Sequence, residues 1–350
     1  MSMTIDLNAK ASSDDGIFGL PFKEKEAKVV YLPVPWDVTT SYGNGTHKGP
    51  KAMLKASAQI DFFDLDYVDA FKVGLHMTKE NAAIRKLNAD SRKLAEKIIN
   101  ASDEDIKKSK TLQKTLEKVN TASSKLNDHV YKETKRLLAL DKMSVLVGGD
   151  HSTPFGAIKA YAEKYPGMGI LHFDAHSDTR HEYMGFTDSH ASIMNNVIRK
   201  IPQVGKLVQV GIRDFCQEEY DFINSNKKIK TFFDIEIADR KLKGEKFDSI
   251  AKEIVKHLPN QVYLSFDIDG LEPKFCPSTG TPVPGGLDYY ELIHIVKEIV
   301  NAKKTIIGFD LVEVAPSGIK GDEWDANVGM RLLYKLTSAA LASQNIIPKR

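Results

Sequence analysis

Short runs of β-branched and other apolar residues alternate along this chain with longer stretches whose apolar positions recur every three or four residues. The runs at Val29–Pro33, Ser144–Val147, Gly169–Phe173, Leu207–Val210, Lys230–Phe233, Val262–Asp267 and Thr305–Leu311 are close to continuously apolar, as expected of strands buried on both faces. Stretches 153–163, 190–200, 216–225, 247–257, 287–302 and 324–343 lie between or after them and read as helices. This alternation predicts an α/β fold, a three-layer α/β/α sandwich with a mainly parallel sheet and helices on both faces.

The rhythm breaks between about Asn81 and Leu140, where no strand pattern occurs. Ser102 followed by Asp105 resembles a capping box, with Asp in place of the preferred Glu or Gln. Beyond it Leu112, Leu116, Val119, Leu126, Val130 and Leu137 form one apolar stripe on a long helix whose other faces are rich in Lys, Glu and Ser. The reading adopted is a helical hairpin packed on the main domain, in preference to an arm reserved for contacts between subunits. No repeat and no low-complexity linker divides the chain. Residues 1–350 are therefore expected to form one domain with a helical insertion at about 81–140.

Composition removes several function classes. Hydrophobic residues make up 42%, enough for a large core, and Lys plus Arg (49) nearly balances Asp plus Glu (47). Nothing in that balance calls for a nucleic acid or a membrane surface as partner. The polar first residues lack the basic-then-apolar pattern of a signal peptide, and no apolar run is long enough to span a bilayer. Cys216 and Cys276 are too few for a disulfide framework, so a reducing, cytoplasmic setting is expected.

The chemistry sits where strands end. The run Ile170–Phe173 leads into Asp174-Ala175-His176-Ser177-Asp178, and in extended chain residues at i, i+2 and i+4 face one way. A second run ends in Asp267-Ile268-Asp269, and a third in Gly148-Gly149-Asp150-His151-Ser152. In open parallel sheets the carboxyl ends of strands are where ligands bind. Buried carboxylates gathered there would repel one another without a cation. Oxygen and imidazole donors suit Mn²⁺, and less specifically Ni²⁺, Zn²⁺ or Fe²⁺, and no thiol lies in these motifs. His172 is read as a core histidine out of phase with the ligand face, and Asp150 as closing its turn.

The three motifs GGDHS (148–152), DAHSD (174–178) and SFDIDGLEP (265–273) resemble the metal motifs of the ureohydrolases, the family of arginase and agmatinase. Pro35-Trp36-Asp37 with Thr40-Ser41-Tyr42, the stretch Pro277–Gly286 and Val312-Glu313-Val314-Ala315-Pro316 extend the resemblance, on the agmatinase-like branch. The resemblance implies one metal held by His151, Asp174, Asp178 and Asp267, and another by Asp174, His176, Asp267 and Asp269. It implies two Mn²⁺, with Ni²⁺ as the alternative, lowering the pKa of a shared water. It also implies Asp178 as partner of that water, His190 as the acid that protonates the departing amine, and Glu313 as the carboxylate that orients the guanidinium. A homo-oligomer, trimer or hexamer, is expected. Ala191 and Glu272 depart from the family pattern without removing a metal ligand.

The same resemblance implies a small guanidino compound other than arginine, because the position where arginases carry an acidic residue for the α-ammonium reads Cys216. Agmatine ranks first, followed by guanidine and guanidinobutyrate. Arg180 would favour a carboxylate tail if it faces inward, and Trp324 could cap a small guanidinium by a cation–π contact. A non-catalytic metal-binding scaffold is the alternative of another class.

Overall fold

A computed structural model of the chain describes residues 13–350. The helices are α1 (Gly49–Ala56), α2 (Ala82–Ile99), α3 (Asp103–Lys108), α4 (Lys110–Ala139), α5 (Phe155–Lys164), α6 (Ile193–Lys200), α7 (Gln217–Ser225), α8 (Asp234–Leu242), α9 (Phe247–Lys256), α10 (Tyr289–Asn301) and α11 (Trp324–Ser343). The strands are β1 (Val29–Val34), β2 (Leu75–Met77), β3 (Met143–Gly148), β4 (Gly169–Phe173), β5 (Lys206–Ile212), β6 (Ile229–Phe233), β7 (Gln261–Asp267) and β8 (Thr305–Val312). They form a sheet of order β2-β1-β3-β8-β7-β4-β5-β6, parallel throughout.

Alternate strand residues feed two layers, as the two-residue period of a strand requires. Tyr31, Val145, Leu171, Leu264 and Phe309 pack against α9, α10 and α11. On the opposite face, Ile170 and Leu207 meet α5 and α6, while Leu32, Val34 and Leu146 meet α2 and α4. Every residue of β1, β3 and β4 is buried, which explains their continuous apolar sequence.

The order places β3, β8, β7 and β4 side by side at the middle of the sheet. All four motif-bearing strands therefore open at neighbouring carboxyl ends. β3 and β4 follow each other in sequence but are separated by the later β8 and β7, so the chain reverses its progress across the sheet between them.

The 81–140 region packs on this scaffold. Ile84, Ala95 and Ile98 of α2 join Val119, Ala122, Leu126 and Val130 of α4 in one buried cluster with Leu32, Val34 and Leu146. The helix is broken once, between the Ser102 cap and the start of the apolar stripe. Ser109 takes an extended backbone (φ −97°, ψ 108°), its side chain accepts from Leu112 N, and α4 starts anew there. Ser102 caps only the short α3, accepting from Asp105 N at 3.1 Å.

Candidate metal centre

The site is assembled from chain segments leaving the four central strands. Asp174, His176 and Asp178 do not form a strand continuation as the extended-chain reading expects. β4 stops at Phe173, and Asp178 has a left-handed backbone (φ 54°). The three converge because a tight loop folds them inward, stabilised where Met194 N donates to Asp178 O (2.9 Å) and Thr179 N to the buried Glu219 (3.1 Å).

Asp267 and Asp269 each have one oxygen tied down and another turned into the cluster. Asp269 Oδ1 accepts from Ala175 N (2.9 Å), and Asp267 Oδ1 accepts from Asp269 N (2.9 Å). Facing inward, Asp267 Oδ2 and Asp178 Oδ2 each lie 3.3 Å from His151 Nδ1, and Asp269 Oδ2 lies 3.1 Å from His176 Nδ1. Asp174 serves both histidines. Its Oδ2 is 2.9 Å from His151 Nδ1 and its Oδ1 is 3.4 Å from His176 Nδ1. His151, His172, Asp174 and Asp178 form one group of converging donors, and Asp174, His176 and Asp269 a second.

A polar row lies directly beneath. Asp310, Ser265, His172, Gln209 and Thr231 stand at one register on β8, β7, β4, β5 and β6. His172 is thus in phase with Asp174, two residues on, and the sequence reading of it as out of phase is corrected. It is a fully buried core histidine, but its Nε2 lies 2.8 Å from Asp174 Oδ2. Gln209 fixes its tautomer. The Gln209 amide nitrogen must donate to the Ser177 carbonyl (2.8 Å), and from the same atom reaches His172 Nδ1 (3.0 Å). His172 Nδ1 is therefore the acceptor and Nε2–H the donor to Asp174. Ser265 Oγ donates to Asp310 Oδ1 (3.1 Å) and so accepts from His151 Nε2 (3.0 Å), which leaves the Nδ1 lone pair of His151 facing inward as a ligand atom.

The charges confirm that this cluster is incomplete as protein alone. Burial, then the neighbouring carboxylates, hold the Asp178 and Asp267 carboxyls well above the usual range. Asp174 is held well below it, because His172, His151 and His176 outweigh the cost of burial. Burial would lower His151, but Asp174, Asp178 and Asp310 push it up to about 10. Among the described residues no Lys or Arg forms an ion pair with Asp174, Asp178, Asp267 or Asp269. Carboxylates outnumber imidazoles, all donors are oxygen or nitrogen, and the set fits divalent cations.

Glu313 borders the cluster. It follows β8 with a left-handed backbone (φ 62°), and its Oε1 accepts from His151 N (2.9 Å). Its Oε2 is buried and has no hydrogen-bond partner. Burial and the charges of Asp267 and Asp150 hold its carboxyl well above the ordinary value.

An adjoining cavity of about 170 Å³ is lined by His176, Asp178, Arg180, Tyr183, His190 and Asp214, among others. Arg180 stacks over the Tyr183 ring (5.0 Å) with its Nε 3.5 Å from Glu219 Oε2. His190 sits edge-on to Tyr183 at 6.0 Å, with Thr39 Oγ1 3.4 Å from its Nδ1. Burial, then the imidazoles of His176 and His151, push His190 down to about 3. Trp324 is not brought to the site. It lines a different surface cavity with Phe275, Tyr289 and Arg331 and donates to Lys274 O (2.9 Å).

The sequence reading takes His172 as a core histidine without its bond to Asp174 and gives no role to Ser265 or Asp214. Parity alone signals His172 and Ser265, since 172 and 174, like 265 and 267, share a face. Asp214 was passed over in favour of Cys216, whose N–H is used to bond Glu219 at the start of α7.

Comparison with known proteins agrees with this geometry. Residues 27–338 match the Arginase family. An N(1)-aminopropylagmatine ureohydrolase of Thermus thermophilus is 31% identical over 295 residues, 84% of this chain and 85% of that one. An agmatinase of Bacillus cereus is 29% identical over 293 residues, covering 83% and 85%. Among solved structures, proclavaminate amidino hydrolase from Streptomyces clavuligerus superposes with a TM-score of 0.71 at 23% identity, over 97% of this chain and 100% of that one. The agmatine ureohydrolase of Thermoplasma volcanium gives a TM-score of 0.69 at 21% identity, covering 97% of both chains. With its fold, its metal-binding cluster and its sequence in agreement, the chain belongs to the arginase family and is a ureohydrolase of the agmatinase-like branch.

Proposed function

We propose that this enzyme hydrolyses a guanidino compound lacking arginine's α-amino acid head, with agmatine as the leading substrate, and releases urea. The observation that carries the reading is Glu313 Oε2, a buried carboxylate oxygen left without a partner beside the cation-ready cluster. A planar guanidinium supplies the paired N–H donors that such an oxygen lacks.

His151, Asp174, Asp178 and Asp267 would hold one cation, and Asp174, His176, Asp267 and Asp269 the other. We favour Mn²⁺, with Ni²⁺ as the alternative. When bound, the pair supplies Lewis acidity and makes water nucleophilic near neutral pH. Glu313 binds the guanidinium and presents its carbon to the cluster. Asp178, at the edge between cluster and cavity, accepts the hydrogen bond that orients the attacking water. His190, on the wall of the cavity with Asp178, would give a proton to the departing nitrogen.

The tail of the substrate would lie in the 170 Å³ cavity. Arg180 faces that cavity, yet the buried Glu219 answers its charge. Asp214 Oδ2 lies 3.9 Å from His176 Nε2 and remains largely exposed, a carboxylate free to meet an ammonium tail. This favours agmatine over guanidinobutyrate. Guanidine remains the second reading on size, although Trp324 lends it no support from its position. The free thiols of Cys216 and Cys276 suit the cytoplasm. The test is Glu313→Gln on Mn²⁺-loaded protein. We expect metal content to be retained and urea release from agmatine to fall by a factor of about 100 or more. Unchanged turnover would remove Glu313 from the reading.

A further inference from the structure

We propose that the helical insertion braces the mouth of the pocket, with Arg92 of α2 and Asn120 of α4 as positioning residues for the two loops that meet at His190. The proposal rests on the reading of this pocket as the substrate site.

The first loop leaves β1 and carries Thr39, which touches His190, and Ser41, which lines the cavity. Its carbonyls have no strand to pair with. One nitrogen of Arg92, Nη1, takes up three of them: Asp37 O (3.2 Å), Val38 O (3.2 Å) and Thr40 O (2.6 Å), together with Thr40 Oγ1 (2.9 Å). One turn earlier on α2, the buried Asn88 accepts from Asp37 N (2.8 Å) and donates to Asp37 Oδ1 (3.2 Å). Asp37 Oδ2 in turn accepts from Gly45 N (2.9 Å), closing the loop on itself. The loop is thus bonded to a helix that contributes no residue to the cluster or cavity.

The second loop carries Tyr183 and leads to His190. Asn120 of α4 donates to Gly185 O (3.1 Å) and accepts from Thr187 N (3.2 Å). Gly185 has φ 79°, and a Cβ there would stand 2.6 Å from Leu116 Cδ2, so α4 fits against the loop backbone. Phe186 is buried in the same cluster as Val119 and Ala122. The loops then join each other, His190 N donating to Thr39 Oγ1 at 3.3 Å. Since α2 and α4 share one apolar core, a single rigid unit fixes both sides of His190.

The experiment compares wild type, Arg92→Met, Arg92→Lys and Asn120→Ala, all Mn²⁺-loaded. The readouts are amide hydrogen exchange, metal content and agmatine kinetics. Arg92→Met keeps the aliphatic stem and removes the donors. We expect exchange in peptides covering 36–47 to rise about tenfold, with metal content and helix 217–225 unchanged. Exchange at 183–192 should rise as well, kcat should fall with little change in KM, and Arg92→Lys should recover part of both. Asn120→Ala, which keeps the proposal open to test if Arg92→Met does not fold, should raise exchange at 183–192. Unchanged protection in these segments, or an equal rise in 217–225, would overturn the brace. If wild type releases no urea from agmatine, the substrate reading fails while the exchange result still decides the brace.

Discussion

At Asp174 the two carboxylate oxygens face different histidines, and His172 and His176 N add further bonds to them. Its loss therefore takes a donor from both groups while Asp178, Asp267 and Asp269 remain to repel one another. Asp174→Ala should bind less than one metal per chain by elemental analysis after reloading, and two retained ions would contradict the bridging role. The pH dependence of metal uptake follows from the same residues. Burial and carboxylate neighbours favour the protonated forms of Asp178 and Asp267, and the carboxylates favour protonated His151 and His176. Cation binding needs all four deprotonated, so it must expel protons, and affinity must rise as pH rises. Calorimetric Mn²⁺ titrations of chelated protein in buffers of different ionisation enthalpy should register net proton release at pH 7. Binding that does not change between pH 6 and 8 would contradict this. At this scale the residues of the buried His–Asp cluster were legible because each stands in a short motif at the end of an apolar run. Their geometry was not, since the left-handed turns at Asp178 and Glu313 leave no pattern in a list of residue types.

Helix α4 carries the same reasoning to the level of elements. Of its stripe, Val119, Leu126, Val130 and Leu137 are buried within this chain and Leu112 and Leu116 partly so. Leu126, 1% exposed, should cost about 2–5 kcal/mol when cut to Ala, a loss typical of a buried leucine. Chemical denaturation should show it, with the association state unchanged in sedimentation. A stable Leu126→Ala that changes its association state would instead make the stripe a contact between subunits. Long strands such as β3 and β7 were plain in the sequence because burial on both faces demands unbroken apolar runs. β2 escaped notice with only three residues, Leu75–Met77. α8 did too, since Ile235 and Leu242 are exposed and Ile237 is its one buried residue, leaving no apolar stripe to read. The break at Ser109 was hidden because a serine ahead of a periodic stretch acts as a cap only when the backbone there is extended.

Across the whole molecule, the sheet order brings together segments more than a hundred residues apart, and the sequence could place motifs at strand ends without stating which strands are neighbours. Exposed Phe63, Leu65 and Tyr290 around the cavity near α10 and α11 leave apolar surface of the kind that associating chains cover. A trimer or hexamer is the expected state, and a monomer in sedimentation at micromolar concentration would contradict it. On the proposed function, the buried His–Asp cluster is a two-cation centre that hydrolyses a guanidino compound without an α-amino acid head. The most direct measurement is urea release by one Mn²⁺-loaded preparation, with metal content determined alongside, from arginine, agmatine, guanidinobutyrate and guanidine. Two metals per chain are expected, with urea from agmatine at the highest kcat/KM and arginine turned over least. Two bound metals with no urea from any of the four, or a clear preference for arginine, would contradict that function.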